Sequence, residues 1–361
     1  MRIFAFGASI VSSYWNGAAT YYRGCYKYLA RSGHQITFAE PDAYARQEHR
    51  DADDFSYVNS VVYRATVDID RVLQMASDAD VVVKHSGIGV DDVVLEKLVA
   101  EMSAERPTFF WDVDSPATLA RMRANADDPF REAVPQYDAV LSYGGGPASR
   151  GGYLSFGARA YYNIYNGLDP ETHYPVEPDP SFKCDLAFLG NRLPDREEEV
   201  ERLFFCAAQL APEKHFILGG EGWGDKPLPP NVRWIGHVPT VDHNRVNSSA
   251  GMVININRMS MAGSGFSPPT RVFEAAGAGA CVLCDDWPGI DDCFAPGKEI
   301  LVVRDAKDVA EALREYDDQA RRRIGTAFHA RALRDHTYAQ RAAQAEIAFM
   351  ESMARRDVVA V

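Results

Sequence analysis

The sequence predicts an α/β protein of two successive βα domains with parallel sheets, facing each other across an interdomain cleft. Three observations carry this. Short apolar runs alternate with longer amphipathic stretches along most of the chain, the pattern of βα units. A proline-rich, strand-poor passage interrupts that alternation near the middle. The length, 361 residues, is that of two domains at ~150 residues each.

In the first half the predicted strands are Ile3–Phe6, Gln35–Ala39, Val81–Lys84, Thr108–Trp111 and Ala139–Ser142. Between the first two, Ala18–Arg31 has helical spacing and ends in Ser32-Gly33, where glycine accepts a left-handed cap without Cβ strain. Asp91–Ala104 and Pro116–Ala124 are further predicted helices. Asn166-Gly167-Leu168-Asp169-Pro170, followed by Pro175, Pro178 and Pro180, reads as a linker. The second series of predicted strands is Asp185–Leu189, His215–Leu218, Arg233–Ile235, Met252–Ile256, Ala280–Cys284 and Ile300–Val303. Arg196–Gln209, Thr270–Ala278 and Ala306–Arg314 are the intervening helices, and Asp317–Arg355 reads as helical throughout. The expected domains are therefore 1–165 and 182–335, with a linker at 166–181 and a terminal helix at 336–361.

Composition excludes several classes. The net charge of −13 repels phosphate backbones and anionic lipid, so no nucleic-acid partner is expected. No run of 18 apolar residues occurs, so no membrane span is expected. Met1-Arg2 and the apolar stretch to Val11 superficially resemble a signal peptide, but no small-residue cleavage site follows and a buried first strand explains the same letters. Six irregularly spaced cysteines form no disulfide framework, and the chain reads as cytoplasmic. Cys281 and Cys284 bracket Val282-Leu283 in a strand-like run, which suits core residues better than a redox pair. Zinc would need a second ligand pair, which Cys293 alone does not supply. A GxGxxG fingerprint and a phosphate loop ending Gly-Lys-Ser/Thr are both missing, which disfavours a nicotinamide dehydrogenase and a nucleoside triphosphatase.

The most informative segment is Ser264 to Ala280, which places glycine, serine and proline before a helix carrying Arg271 and Glu274. Unpaired N–H groups and a positive dipole at a helix start suit a diphosphate. Ser264, Ser267 and Thr270 add hydroxyl donors, and Arg271 can neutralise charge on a departing diphosphate. Glu274, one turn in, can accept both hydroxyls of a ribose. A capped helix with a surface Arg–Glu pair fits the same letters.

That segment, continued by Val282 to Phe294, resembles the donor half of a GT-B glycosyltransferase, and more narrowly the bacterial glycosyltransferases related to the spore maturation protein CgeB. Those pair an S-P-x-x-R-x-F-E-A-x-x-x-G helix with a D-x-W-P-G-L-D-E-x-F loop, and Pro296-Gly297-Lys298-Glu299-Ile300-Leu301 fits their P-G-x-E-I-L pattern. Trp15 to Arg23 and Phe110-Trp111-Asp112-Val113-Asp114-Ser115-Pro116 agree as well, so the resemblance spans nearly the whole chain. It implies a metal-independent transferase of hexosyl or related groups. A nucleoside-diphosphate sugar would be its substrate, with no separate cofactor. Glu274 would hold the nucleotide ribose, Ser267 and Arg271 the diphosphate, and the terminal helix would cross back onto the first domain. Many retaining members carry two glutamates eight positions apart, but Phe266 stands eight before Glu274. Relatives often have histidine after Asn-Gly, where this chain has Ala18.

The first domain would then hold the acceptor, a small molecule, glycan or protein. Ligands in open α/β sheets sit beyond the carboxyl ends of the strands. Asn16 and Gly17 lie in the first strand-to-helix loop, and Asp112, Asp114 and His85 follow strands, each able to take a proton from an acceptor hydroxyl. Asp114 equally suits a helix N-cap. Tyr21, Tyr22, Tyr26 and Tyr28 crowd the first helix; an acceptor platform is open to Tyr21, while packing explains the group. In the second domain Gly190, Asn191, Gly220, His237 and Arg258 occupy loops after strands. Asp285, Asp286, Asp291 and Asp292 surround Trp287-Pro288-Gly289, read as a rigid turn with no essential metal. A nucleotide-sugar 2-epimerase on the same fold and a non-catalytic nucleotide-sugar-binding protein are the competing expectations.

Overall fold

The computed structural model describes residues 1–14, 16–52 and 55–359, with side chains to Arg356; Trp15 of the Trp15–Arg23 motif lies outside them. The chain forms two compact units, Met1–Asn166 with Tyr338 onward, and Gly167–Thr337. No described helix is long and apolar enough to cross a membrane.

The first unit is a seven-stranded sheet of β1 (Arg2–Phe6), β2 (Gln35–Asp42), β3 (Asn59–Arg64), β4 (Val81–His85), β5 (Thr108–Asp112), β6 (Ala139–Ser142) and β7 (Tyr161–Asn163). All neighbours pair in parallel, in the order β3-β2-β1-β4-β5-β6-β7. Central strands of such a sheet are covered on both faces, which is why Val81–Val83 and Phe109–Trp111 are uninterrupted apolar runs. β3 and β7 escape sequence reading because they are edge strands, half-exposed and polar. Helices α1 (Ala19–Arg31), α2 (Ile69–Ala76), α3 (Asp92–Glu101), α4 (Ser115–Ala124), α5 (Phe130–Ala133) and α6 (Gly146–Ser155) cover the sheet. The terminal helix Tyr338–Val359 belongs to this unit, burying Tyr338, Ala342, Ala345 and Phe349 in the core with α1. The Phe349 ring meets Phe109 at 4.7 Å between centroids, and Arg356 donates to Asp138 Oδ2 at 2.8 Å.

The second unit repeats the plan with β8 (Cys184–Leu189), β9 (Phe216–Gly219), β10 (Val232–Trp234), β11 (Ala250–Asn255), β12 (Val282–Asp285) and β13 (Leu301–Val303), ordered β10-β9-β8-β11-β12-β13 and parallel throughout. In both sheets the strand order reverses beside the first strand, at β1/β4 and at β8/β11. Ligands of doubly wound sheets bind outside the carboxyl ends at such a reversal. The helix predicted at Arg196–Gln209 is α7 (Glu197–Val200) and α8 (Cys206–Leu210), joined by a π-helical stretch, Glu201–Phe205. Then follow α9 (Thr240–Ser249), α10 (Met259–Ser264), α11 (Thr270–Gly277), α12 (Ile290–Cys293), α13 (Ala306–Glu315) and α14 (Asp318–Asp335).

Two readings change. The tail is not one helix: α14 ends where His336 and Thr337 turn to pair with Leu168, whose N–H donates to the His336 carbonyl at 2.7 Å. The 166–181 segment is more than a joint, because Leu168 and His173 are buried in the second unit and the Asp179 N–H donates to Ser249 Oγ at 2.7 Å. Both thiols of the Cys281/Cys284 pair are buried, and burial pushes that of Cys281 up to about 12.

Candidate functional site

In the first unit most of the expected acid–base candidates turn out to be core. His85 is buried among the rings of Tyr22, Tyr26, Phe38 and Trp111, with Nε2 2.6 Å from the Tyr26 hydroxyl. Burial, with Lys84 alongside, pulls its pKa down to about 3, so it is neutral and enclosed rather than a working base. Asp112 is fully buried and accepts from Ser86 Oγ at 2.7 Å, the Asp114 N–H at 2.9 Å, Thr118 Oγ1 at 3.2 Å and the Tyr153 hydroxyl. Burial raises the pKa of its carboxyl against those donors. Four donors around an inaccessible carboxylate make it a brace for β5, not a group that an acceptor can reach.

Tyr21 is likewise core: its hydroxyl donates to the Ile164 carbonyl and accepts from Trp111 Nε1. Asn16 is buried with Nδ2 donating to the carbonyls of Ser9 and Ser12, at 2.7 and 3.0 Å, which ties its own loop. Gly17 is exposed, and Asp114 is half-buried beside Asp112. Those two remain at the accessible carboxyl edge.

The second unit gathers its candidates around the β8/β11 reversal. The loops after β8 and β9 touch: a Cβ on Gly220, at φ +127°, would lie 2.3 Å from the Gly190 carbonyl, so only glycine fits. Asn191 Oδ1 accepts from the Glu221 N–H at 3.0 Å, and the Gly220 N–H donates to the Gly236 carbonyl at 2.7 Å, next to exposed His237. Behind this junction stands Arg196, which sequence reading took only as a helix start. Its Nη2 donates to the Asn191 carbonyl at 2.6 Å, its guanidinium lies over the Phe188 ring, and its Nε has no partner. Burial and the positive charges of Arg271 and Arg258 bring its pKa down to about 10. Arg258 is exposed, with Nε donating to Asp195 Oδ2 at 2.8 Å. Arg258 and Arg271, from separate segments, thus each lie close enough to act on the charge of Arg196, which is the electrostatics of an anion site.

The loop into α11 is rigid. Gly265 and Phe266 have φ +67° and +47°, and the Phe266 N–H donates to the Pro288 carbonyl at 2.6 Å. The Phe266 ring covers Gly289, where a Cβ would lie 2.3 Å from it. Phe266 thus serves the loop's shape. Ser267 is buried with its hydroxyl donating to the Gly265 carbonyl at 2.9 Å, and Ser264 Oγ donates to the Ser260 carbonyl at 3.0 Å.

Glu274 is buried one turn into α11, with Oε2 3.5 Å from Arg271 Nη1 and 3.4 Å from His243 Nδ1. Burial alone would raise its pKa, but Arg271, His243 and His173 outweigh it and hold the carboxyl well below the usual range. His243 was also missed, because α9 has almost no apolar stripe to announce a helix. A pocket of about 350 Å³ opens at the carboxyl ends of β11, β12 and β13, lined by Arg202, Asn257, Asp285 and Asp286 among others. Burial pushes the Asp285 carboxyl up to about 6.

Comparison with known proteins reaches this half of the chain first. Residues 196–346 match the family described as Glycosyl transferase-like. No curated protein matches the chain. Among solved structures, sucrose-phosphate synthase from Thermosynechococcus elongatus is similar at TM-score 0.70 and 14% identity, covering 100% of both chains. Anabaena HepE in complex with UDP and glucose gives TM-score 0.69 at 15% identity, over 97% of this chain and 100% of that one. The catalytic domain of starch synthase IV from Arabidopsis thaliana, bound to ADP and acarbose, gives 0.71 at 11%, over 98% and 99%. The fold is GT-B. The matched residues include Arg196, Arg258, Arg271, His243 and Glu274.

Proposed function

We propose that the protein is a glycosyltransferase that moves a hexosyl or related group from a nucleoside-diphosphate sugar to an acceptor hydroxyl, and that it is one of the CgeB-like enzymes. The observation that carries this is the convergence of Arg196, Arg258 and Arg271 at the β8/β11 reversal. Two of the three come from loops and the third from the first turn of α11, so their charges are aimed by the fold rather than by one helix face. Glu274 would accept the ribose hydroxyls through the oxygen that does not face the histidines.

In the reaction the bond from the anomeric carbon to the diphosphate oxygen breaks and the diphosphate leaves with the electron pair. The arginines and the start of α11 would stabilise that charge, with no metal in the step. The acceptor hydroxyl supplies the new bond and gives up its proton to a base, for which Asp114 is the candidate that is not enclosed. The free cysteines suit a cytoplasmic protein. The test is turnover of a panel of nucleotide sugars by wild type and Arg271→Ala. Donor consumption at the wild-type rate in the variant would remove Arg271 from the reaction.

A further inference from the structure

We infer that His173, His243 and Glu274 form a binding site for one divalent transition metal ion, zinc foremost, beneath the nucleotide-binding edge of the second unit. One ligand atom from each residue lies within 4.8 Å of the other two; His173 and Glu274 are buried, and His243 nearly so.

His173 Nε2, His243 Nδ1 and Glu274 Oε2 are buried with no hydrogen-bond partner. A buried polar atom left unmade costs about 1–3 kcal/mol, so three at one spot call for something that binds them. His243 adds a tautomer argument. Its Nε2 lies 3.2 Å from the Val238 carbonyl, an oxygen that can only accept, so Nε2 carries a proton. In the neutral ring Nδ1 then presents a lone pair toward Glu274 Oε2, itself an acceptor, at 3.4 Å. A cation between them turns that repulsion into two bonds. An imidazole whose other nitrogen donates to a backbone carbonyl is also how metal-binding histidines are oriented.

The dimensions suit zinc. Bonds of about 2.0–2.2 Å in a tetrahedron place ligand atoms roughly 3.4 Å apart. The His243–Glu274 pair already has that spacing, and all three ligand atoms lie within 4.8 Å of one another. Two imidazoles and one carboxylate are a zinc donor set with a fourth position left over. Arg271 Nη1 approaches the same carboxylate oxygen at 3.5 Å, and that oxygen has lone pairs for both neighbours. The bound ion would fix the Glu274 carboxylate from behind and leave its second oxygen free. The inference stands apart from the sugar-donor reading, since it concerns which ion the chain holds and not what it turns over.

The experiment is calorimetric titration of chelator-treated, full-length protein with ZnCl2, joined to metal analysis after dialysis and to the visible spectrum with Co(II). Wild type is expected to bind one equivalent, raise its Tm with zinc, and give the absorption of a four-coordinate cobalt site. His173→Ala and His243→Ala, each checked for a native circular dichroism spectrum, are expected to weaken zinc binding at least tenfold. His173→Gln supplies a second variant should His243→Ala not fold. A wild type that binds neither ion overturns the inference. Equal zinc affinity in both folded histidine variants overturns it as well. UDP binding measured on the same zinc-free samples reports separately on the donor site.

Discussion

Arg196 and Arg271 stand near enough at the carboxyl edge of the second sheet that desolvation and the charge of Arg271 together loosen the proton of the half-buried Arg196, which sits at about 10. Such a pair is unfavourable by itself and favourable around a diphosphate. Arg196→Ala is therefore expected to unfold no more easily than wild type in the absence of ligand. It should bind nucleoside diphosphate about 10- to 100-fold more weakly, the equivalent of a charge-assisted hydrogen bond of roughly 1.5–3 kcal/mol. Urea midpoints and titration calorimetry check both halves.

Glu274 is both partner and ligand in this account. Glu274→Ala should weaken nucleotide binding by removing the acceptor for the ribose hydroxyls. Free ribose-lacking diphosphate, such as pyrophosphate, should bind the variant nearly as well as wild type, because its contacts are to the arginines. Calorimetry with UDP and pyrophosphate side by side reads this out. Equal losses for the two ligands would place the carboxylate away from the ribose.

The neutral His85 makes stability depend on pH. In the fold it takes a proton only at about 3, whereas in the unfolded chain it does so near 6.5. Between those values the unfolded state binds the extra proton, so stability falls as pH falls, by about 1.4 kcal/mol per unit from this residue. Above pH 6.5 it adds no slope. His85→Leu should flatten the loss between pH 6.5 and 5, seen as urea midpoints that converge with pH. An unchanged slope in the variant would mean that His85 is not the group responsible.

Asp112 separates bracing from catalysis. Asp112→Ala should destabilise by about 1–3 kcal/mol by orphaning Ser86, Thr118 and Tyr153. Asp112→Asn, which keeps one carbonyl oxygen, should retain turnover per folded molecule within tenfold. A hundredfold loss in a folded Asp112→Asn would restore it as the base.

These residues also mark how far the sequence could be read. Buried central strands announce themselves, since Val81–Val83 and Phe109–Trp111 have no polar alternative, and the loop into α11 carries a recognisable arrangement of proline, arginine and glutamate. Edge strands such as Asn59–Arg64 and the polar helix of His243 give no such periodicity, because their burial depends on what packs over them. The same limit explains His85 and Asp112. Position after a strand is visible in the letters, but whether a side chain there faces solvent or is closed in by Tyr26 and Tyr153 depends on residues distant in the chain. Arg196 was hidden for the opposite reason: its helix was evident, and its partners Arg258 and Arg271 lie more than sixty residues away.

The central claim, that the β8/β11 edge of the second unit binds a nucleoside diphosphate, is tested most directly by thermal unfolding with UDP, GDP, dTDP, ADP and NAD in parallel. A ligand at about 100 times its Kd adds about 2.7 kcal/mol to the folded state, and each kcal/mol moves the Tm of a domain of 150–250 residues by roughly 2–4 °C. The expected result is a rise of several degrees with at least one nucleoside diphosphate, lost in Arg271→Ala and in Glu274→Ala. No rise with any diphosphate, a rise with NAD alone, or a rise that persists in both variants would contradict it.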